Sequence, residues 1–272
     1  MQYDPIKRSL GSVFNKSIFL RKLFYRLLDL LLLRSWHVRR ELKKWKAPDA
    51  PQILDAGSGF GQYTYRMSQY FPKSTIKAVD VKDEQVLDCN QFFQKMELNS
   101  RVNFEIADLT KYVAPNQFDL VLSVDVMEHI EEDVLVFKNF YQSMKENAML
   151  LISTPSDQGG SDTDHHDHDH DEVTGFIDEH VRDGYNIEEI KDKLRSVGFR
   201  EVYVRYQYGK PGSFSWKLSM KYPIKLLGVS KLFFIILPFY YLVAYPVSAL
   251  LNWLDCIIEH KKGTGLIVTA YK

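Results

Sequence analysis

Short apolar runs alternate with amphipathic stretches over most of the chain. QILDAG, TIKAVD, VNFEIAD, FDLVLSV and AMLLIST are rich in apolar and β-branched residues, and between them apolar residues recur every three or four positions. Buried parallel strands have the first pattern, and the helices that cover them have the second. A further helix, NIEEIKDKLRSVGF, and two strand-like runs, REVYVRYQY and TGLIVTAYK, follow. The alternation predicts an α/β protein whose parallel sheet is covered by helices on both faces.

The first part of the chain predicts a basic amphipathic helix, with a break expected near Ser35 and an end at the two prolines of APDAP. The apolar residues of this helix form one stripe: Phe19, Leu23, Leu27, Leu30 and Leu31. Arginines and lysines flank the stripe, which is typical of a helix that lies on an anionic membrane surface. The alternative is a helix whose stripe covers the protein core.

A long apolar segment separates the last two predicted strands. Residues 232–254 carry no charged side chain, and by length alone they could span a bilayer. Pro238 and Pro246 predict interruptions of a helix there. A single crossing would also separate the last strand from its sheet. We therefore expect a pair of short re-entrant or surface-lying helices, or a lid that packs on the core or on a second subunit.

Charge is distributed unevenly along the chain. The formal net charge of the 272 residues is +0, but residues 1–46 hold twelve basic and three acidic residues, and residues 201–272 hold nine and three. Basic ends rich in apolar residues favour an anionic membrane surface over nucleic acid as a partner. Cys89 and Cys256 are far apart, which indicates a reducing compartment and neither a disulfide framework nor a zinc site. No secretory signal is expected.

The stretch ILDAGSGFGQYTYR, residues 53–66, predicts a strand, a glycine turn and a helix. Such a turn places backbone N–H groups at a helix N-terminus, where they can bind a nucleotide. Gln62 stands where the dinucleotide fingerprint would have its third glycine. Asp80 ends the second strand, where it could accept hydrogen bonds from a ribose, and Asp108 ends the third, where it could accept from an adenine amine.

The fourth strand leads into DVMEHI, so the patterns D-x-G-x-G-x-G, V-D and D-x-x-E-H-I occur in this order. The series resembles class I S-adenosylmethionine (SAM) dependent methyltransferases of the small-molecule and quinone-biosynthesis type, over about residues 50–200 and the final strand. The resemblance implies SAM as cofactor. It also implies a doubly wound, Rossmann-like sheet of seven mostly parallel strands, whose last strand is antiparallel and lies beside the fifth. An oxidoreductase, or a parallel-sheet protein with a coincidental glycine turn, is the alternative.

The resemblance also implies roles for individual residues. The backbone of the turn would contact the amino-acid part of the cofactor, the second strand end its ribose, the third its adenine and the fourth its methionine end. The implied cofactor-binding residues are Asp55, Gly57, Ser58, Gly59, Gly61, Asp80, Val81, Asp108, Leu109, Ser123 and Asp125. Asp55 could instead only cap the turn, whereas the sequence offers no such structural alternative for Asp80 and Asp108.

Methyl transfer from a sulfonium is an in-line displacement, and it needs a base only if the acceptor must lose a proton. His129 in MEHI is the nearest candidate base, and the alternative is that it starts a helix. His180 and Tyr185 in FIDEHVRDGYN are the other candidate pair, and the alternative is a turn segment. The run SDTDHHDHDHDE at 161–172 is interpreted as a solvated acidic loop, so no metal is predicted.

These observations divide the chain into a basic helical segment, a SAM-binding core, an apolar helical insertion and the final strand: 1–46, 47–208, 209–262 and 263–272. We expect a methyltransferase on the inner face of a membrane, cytoplasmic and peripheral or monotopic. Its acceptor would be hydrophobic or membrane-resident, such as a quinone-like, aryl-polyene or other lipid-linked hydroxyl, with O- favoured over C-methylation. The alternatives are a methyltransferase for a soluble metabolite, whose insertion is a lid or homodimer interface, and a non-catalytic SAM-binding membrane adaptor.

Overall fold

The computed structural model describes residues 17–159, 181–230 and 233–272. Its centre is one seven-stranded sheet with the order β3-β2-β1-β4-β5-β7-β6. The strands are β1 Gln52–Ala56, β2 Thr75–Asp80, β3 Val102–Ile106, β4 Phe118–Val124, β5 Met144–Pro155, β6 Arg200–Gln207 and β7 Gly265–Tyr271. Strands β1 to β5 pair in parallel, and β7 is antiparallel to both of its neighbours, β5 and β6. The predicted fold class is confirmed.

Helices cover both faces of the sheet, and each face has its own apolar core. The helices within the alternating region are α3 Gln62–Tyr70, α4 Asp83–Lys95, α5 Asp133–Ser143 and α6 Ile187–Val197. Local chemistry sets the ends of α6, since the Asn186 side chain accepts from the Glu188 N–H and Gly198 ends the helix at φ +119°. Such an asparagine and such a glycine are the residues preferred at helix starts and ends.

The N-terminal segment forms two helices, α1 Ile18–Leu31 and α2 Leu33–Lys44. Ser17 caps α1 by accepting from the Leu20 N–H at 3.1 Å, and the extended backbone of Leu32 separates the two helices. The break therefore lies three residues before the expected position. Helix α2 buries Val38 and Leu42 against the core on one face of the sheet.

The insertion between β6 and β7 is mainly helical where the structure describes it. It comprises α7 Lys210–Trp216, a π-helical turn Lys217–Lys221, α8 Tyr222–Val229 and α9 Phe233–Ile257. The expectation of a pair of short helices broken at the prolines is wrong, because α9 is one helix of 25 residues that contains both Pro238 and Pro246. A proline removes one bond of the helix ladder, and a long helix that packs along one side tolerates that loss.

Candidate functional site

The glycine turn after β1 lies at the carboxyl edge of the sheet. Gly57, Gly59 and Gly61 all have positive φ, at +80°, +52° and +82°. A Cβ on Gly57 would lie 2.2 Å from a methyl carbon of Val126, so only glycine fits where the turn touches the loop after β4. At Gly59 the nearest atom to such a Cβ is 3.9 Å away. This side of the turn therefore leaves room for a ligand.

Asp55, at the end of β1, contacts the helix that follows the turn. Its side chain is buried, and the Thr64 hydroxyl of α3 donates to it at 2.5 Å. Burial raises the pKa of the Asp55 carboxyl to about 7, and the nearby charge of Asp80 adds to this rise. The contact links the end of β1 to the helix after the turn, and the orienting role that the resemblance implies stays a prediction.

Asp80 and Asp108 both have structural partners that the sequence did not reveal. Asp80 accepts from the N–H groups of Gly59 at 2.8 Å and Lys82 at 3.0 Å, so it ties the glycine turn to the end of β2. Asp108 accepts from the N–H and hydroxyl of Thr110, and these hydrogen bonds lower the pKa of its carboxyl. A carboxylate has further lone pairs, so both residues can still accept from a ligand.

Two neighbours of these acids differ in exposure. Val81 is exposed, directly after Asp80. Leu109 lies in the core, and its carbonyl accepts from the Asn139 side chain at 2.9 Å. The Leu109 side chain therefore forms part of the floor beneath the turn rather than an open surface, and its role against an adenine stays a prediction.

Two buried hydroxyl groups indicate that the site suits a polar nucleotide. Ser58 and Ser123 are buried, and their hydroxyl oxygens have no hydrogen-bond partner among the residues that the structure describes. The register of β1 and β4, with Asp55 opposite Leu122, places Ser123 beside the glycine turn. A buried hydroxyl is normally hydrogen-bonded. The two serines, the open turn and the acids at the strand ends therefore fit a cofactor with an amino-acid end and a ribose.

Asp125 borders this site and forms an ion pair with a residue that is distant in the sequence. It has φ +52°, an uncommon conformation for a residue other than glycine, and its N–H donates to Ser153 of β5 at 2.9 Å. Its carboxylate forms an ion pair with Arg34 of α2. The Arg34 N–H donates to the hydroxyl of Tyr208, just after β6, at 3.3 Å. Helix α2 therefore reaches over the end of β4 and connects it to the start of the insertion.

Glu128 is the residue of this site that the sequence analysis missed. It is 1% exposed, and the hydroxyl of Thr154 at the end of β5 donates to it at 3.1 Å. Burial and the charge of Asp125 raise the pKa of the Glu128 carboxyl to about 8. His129, the predicted base, is exposed on the same 3₁₀ turn, Met127–His129. Its catalytic role stays a prediction, while the acid of the E-H pair is the one that faces inward.

The second pair of predicted catalytic residues is placed differently. His180 lies outside the described residues, as does the segment 161–172. Tyr185 is buried, and its hydroxyl lies 2.9 Å from Asp133, to which it donates. Arg182 and Lys193 also pair with Asp133. These contacts give Tyr185 a packing role in the loop before α6. They do not support a catalytic role for Tyr185, which stays a prediction.

Helix α1 covers the glycine turn from outside. The Arg21 guanidinium donates to the Phe60 carbonyl at 2.9 Å and to Asp88 of α4 at 2.6 Å, and the Tyr25 hydroxyl donates to the same carbonyl at 2.5 Å. Asp29 of α1 accepts from Gln62 at 2.9 Å. The sequence gives no signal for these contacts, because each joins residues more than thirty positions apart.

A glycine turn at the end of β1, acids at the ends of β2 and β3, and an antiparallel seventh strand between β5 and β6 together define a class I SAM-dependent methyltransferase, whose cofactor is S-adenosylmethionine. A comparison with protein families agrees. The family model described as "Methyltransferase domain" matches residues 49–197, more than half of the chain. The chain belongs to this family.

Curated relatives are distant. A phosphoethanolamine N-methyltransferase of Triticum aestivum is 25% identical over 154 residues, which are 56% of this chain and 28% of the relative. A malonyl-[acyl-carrier protein] O-methyltransferase of Bacillus cereus is 27% identical over 103 residues, 38% of this chain and 37% of the relative. The chain therefore matches 28% and 37% of the length of these two relatives.

Solved structures show the same fold. Phosphoethanolamine N-methyltransferase 2 of Haemonchus contortus, in complex with S-adenosyl-L-methionine, superposes with a TM-score of 0.60 at 17% identity, over 97% of this chain and 59% of that chain. A putative sarcosine dimethylglycine methyltransferase of Galdieria sulphuraria gives 0.57 at 13% identity, over 87% and 83%. At these identities the likeness concerns the fold.

Proposed function

We propose that this methyltransferase transfers a methyl group from SAM to a hydroxyl of a hydrophobic acceptor, such as a quinone-like, aryl-polyene or other lipid-linked compound. One observation carries the proposal. The insertion begins directly after Tyr208, which contacts Arg34 at the rim of the site, and the insertion's longest helix, α9, exposes a row of apolar side chains. These contacts connect the segment that exposes apolar side chains to the end of β4, which favours an apolar acceptor.

The residues around the site would have different roles in binding the cofactor. The backbone of Gly57 to Gly59, with Asp80 and Asp108, would hold the cofactor, which supplies an activated methyl group on a sulfonium. Ser58 and Ser123 could bind its polar end, because their hydroxyls are buried and unpartnered within the described residues. Alignment of the acceptor with the methyl group would then provide much of the rate.

A hydroxyl acceptor must lose a proton, and Glu128 would take it. Its carboxyl lies beside Thr154 at the ends of β4 and β5, and a pKa of about 8 makes it a better proton acceptor than an ordinary carboxylate once it is ionised. Asp125, three positions earlier in the chain, forms an ion pair with Arg34. His129 remains the alternative base from the exposed side of the same turn.

The competing function is N-methylation of a small soluble amine. The relatives favour it, because phosphoethanolamine N-methyltransferases are among both the sequence and the structural matches. In that case the apolar helices would form a lid or a dimer interface. The Bacillus cereus relative is named as an O-methyltransferase, so the relatives do not decide between the two acceptor atoms.

Radiolabelled SAM distinguishes the two functions. The purified chain would be incubated with methyl-labelled SAM and either an organic-solvent lipid extract or an aqueous metabolite extract of its source cells. We expect label in the organic phase, and fragmentation of the product should show a methoxy group. Label that appears only with aqueous metabolites, or a product methylated on nitrogen, would overturn the proposal in favour of the soluble amine.

A further inference from the structure

We propose that α1 and α9 form a membrane-docking surface with which the protein binds, peripherally or monotopically, to the anionic cytoplasmic face of a lipid bilayer. The surface comprises the exposed apolar side chains of these two helices, which contact each other. The inference concerns a partner of the whole protein. It does not depend on which acceptor is methylated.

Helix α9 has the opposite distribution of side chains from a helix on the surface of a water-soluble protein. Its exposed row includes Phe239, Leu242 and Val243, at 68%, 73% and 75% exposure, and continues to Trp253 at 52%. Its buried side carries polar residues instead: Ser248, Asn252 and Asp255. Surface helices of soluble domains place apolar residues inward and polar residues outward. A helix with the opposite arrangement indicates an apolar environment outside the protein.

Helix α1 repeats this inversion. Its apolar stripe points outward: Phe19 is 72% exposed, and Leu23, Leu27 and Leu30 are between 37% and 40% exposed. Its buried side holds Arg21 and Tyr25, which are 2% and 1% exposed. The stripe therefore does not serve the alternative suggested by the sequence, in which these residues cover the core.

Helix α9 lies along the protein rather than across a bilayer. Residues 235–257 are long and apolar enough to span one, but hydrogen bonds attach one side of the helix to the domain over several turns. The Tyr240 hydroxyl donates to the Leu218 carbonyl at 2.7 Å, and the Ser215 hydroxyl donates to the Ser248 carbonyl at 3.1 Å. Asp255 accepts from the Gly212 N–H at 3.0 Å. A spanning helix would expose this polar side to lipid, whereas a surface-lying helix buries only its outer row.

Charge favours an anionic bilayer over a second copy of the chain. Residues 209–230, which pack on α9, contain four lysines and no acidic residue, and Arg26 is exposed on α1. The only acid of α9 is the buried Asp255. Two copies docked through this surface would bring basic flanks together, whereas anionic headgroups would attract them. Trp253 in the exposed row suits the interface between headgroups and acyl chains.

Co-pelleting with sucrose-loaded vesicles tests the surface. The full chain would be mixed with phosphatidylcholine vesicles with and without phosphatidylglycerol. The test variants are Phe239→Ser with Leu242→Ser on α9, and Phe19→Ser with Leu23→Ser on α1. The matched control is Leu87→Ser with Tyr203→Ser, whose side chains are 59% and 60% exposed on other elements. Thermal unfolding and SAM binding would confirm that each variant is folded.

We expect binding to the phosphatidylglycerol vesicles, weakening by about tenfold or more in each test pair and by less than about twofold in the control. Quenching of Trp253 fluorescence by brominated lipid should accompany binding. Wild-type pelleting by both test pairs would overturn the inference. So would a dimer that the test pairs dissociate without any vesicle binding, because the surface would then join two copies. Vesicle binding without transfer to lipids would uphold the docking surface and reject only the proposed acceptor.

Discussion

Glu128 and His129 are neighbours in the sequence but face opposite ways at the end of β4. The motif D-x-x-E-H-I predicts that both lie at this edge of the sheet, and that is where the structure has them. Which of them faces inward could not be predicted, because a turn of three residues has no periodicity from which to infer a buried side. The orientation depends on Thr154, 26 positions away, which contacts Glu128.

The buried Glu128 should make stability depend on pH. Its pKa is about 8 in the folded protein against an ordinary value of 4.5, so folding favours the protonated form. This contribution is complete below pH 4.5 and is lost as the pH rises through about 8. Glu128→Gln should remove that part of the decline in stability, about 5 kcal/mol at most for a difference of this size between the folded and unfolded pKa. Melting temperatures across this range would show it.

Asp55, with a pKa of about 7, also lowers the stability as the pH rises, and it does so in the wild type and in Glu128→Gln alike. The effect of Glu128 is therefore the difference between the two proteins. A Glu128→Gln protein whose melting temperature falls as steeply as that of the wild type would contradict the assigned pKa of Glu128.

At the scale of elements, the strands were predictable and the outer helices only in part. The central strands β4 and β5 carry nearly continuous apolar runs because they are buried on both faces, and the edge strands β3 and β6 mix apolar with polar residues. For α1 the sequence shows a stripe but not which side meets the protein, because Arg21 gains its buried partners from α4 and the glycine turn. For α9, the local cost of two prolines suggested interruptions that the packing of the whole helix overrides.

The contacts of Arg21 imply a measurable contribution to stability. Arg21→Gln removes its donors to Phe60 and Asp88 and leaves polar groups partly unsatisfied, so we expect a loss of about 3 kcal/mol in the free energy of unfolding. Arg26→Gln, on the exposed side of the same helix, is the matched control, with an expected change below about 0.5 kcal/mol. Urea denaturation of both variants gives the comparison. Equal losses would mean that α1 is not held by its buried arginine.

At the scale of the molecule, the sheet is a platform for the site, and its carboxyl edge is covered by helices that lie outside the alternating strands and helices of the core. The motif series predicted the platform and the cofactor-binding edge, since these follow from local strand-turn-helix chemistry. The cover could not be predicted: Arg34 reaches Asp125 and Tyr208 only because α2 packs across both. The division of the chain into four segments stays a prediction, and these contacts connect the first segment to the second.

The Arg34–Asp125 ion pair connects the cover to the site, so its removal should change how fast the cofactor enters and leaves. Arg34→Gln should raise both the association and the dissociation rate of SAM by several-fold, with a smaller change in affinity, because opening of a cover can limit both steps. Stopped-flow tryptophan fluorescence measures the two rates. Arg39→Gln, an exposed position of the same helix, serves as control. Unchanged rates in Arg34→Gln would show that the cover does not control entry.

Helix α1 has one face on the glycine turn and the other on the outside of the protein, and this has a thermodynamic consequence. If a bilayer favours the position in which Arg21 and Tyr25 hold the Phe60 carbonyl, and the turn binds SAM more tightly in that position, the bilayer raises the affinity of the turn for SAM by some factor. Linkage then requires SAM to change the affinity for the bilayer by the same factor. Depletion of SAM in the cell would in that case release the enzyme from its membrane, and the methyl donor would regulate where the enzyme is as well as what it does.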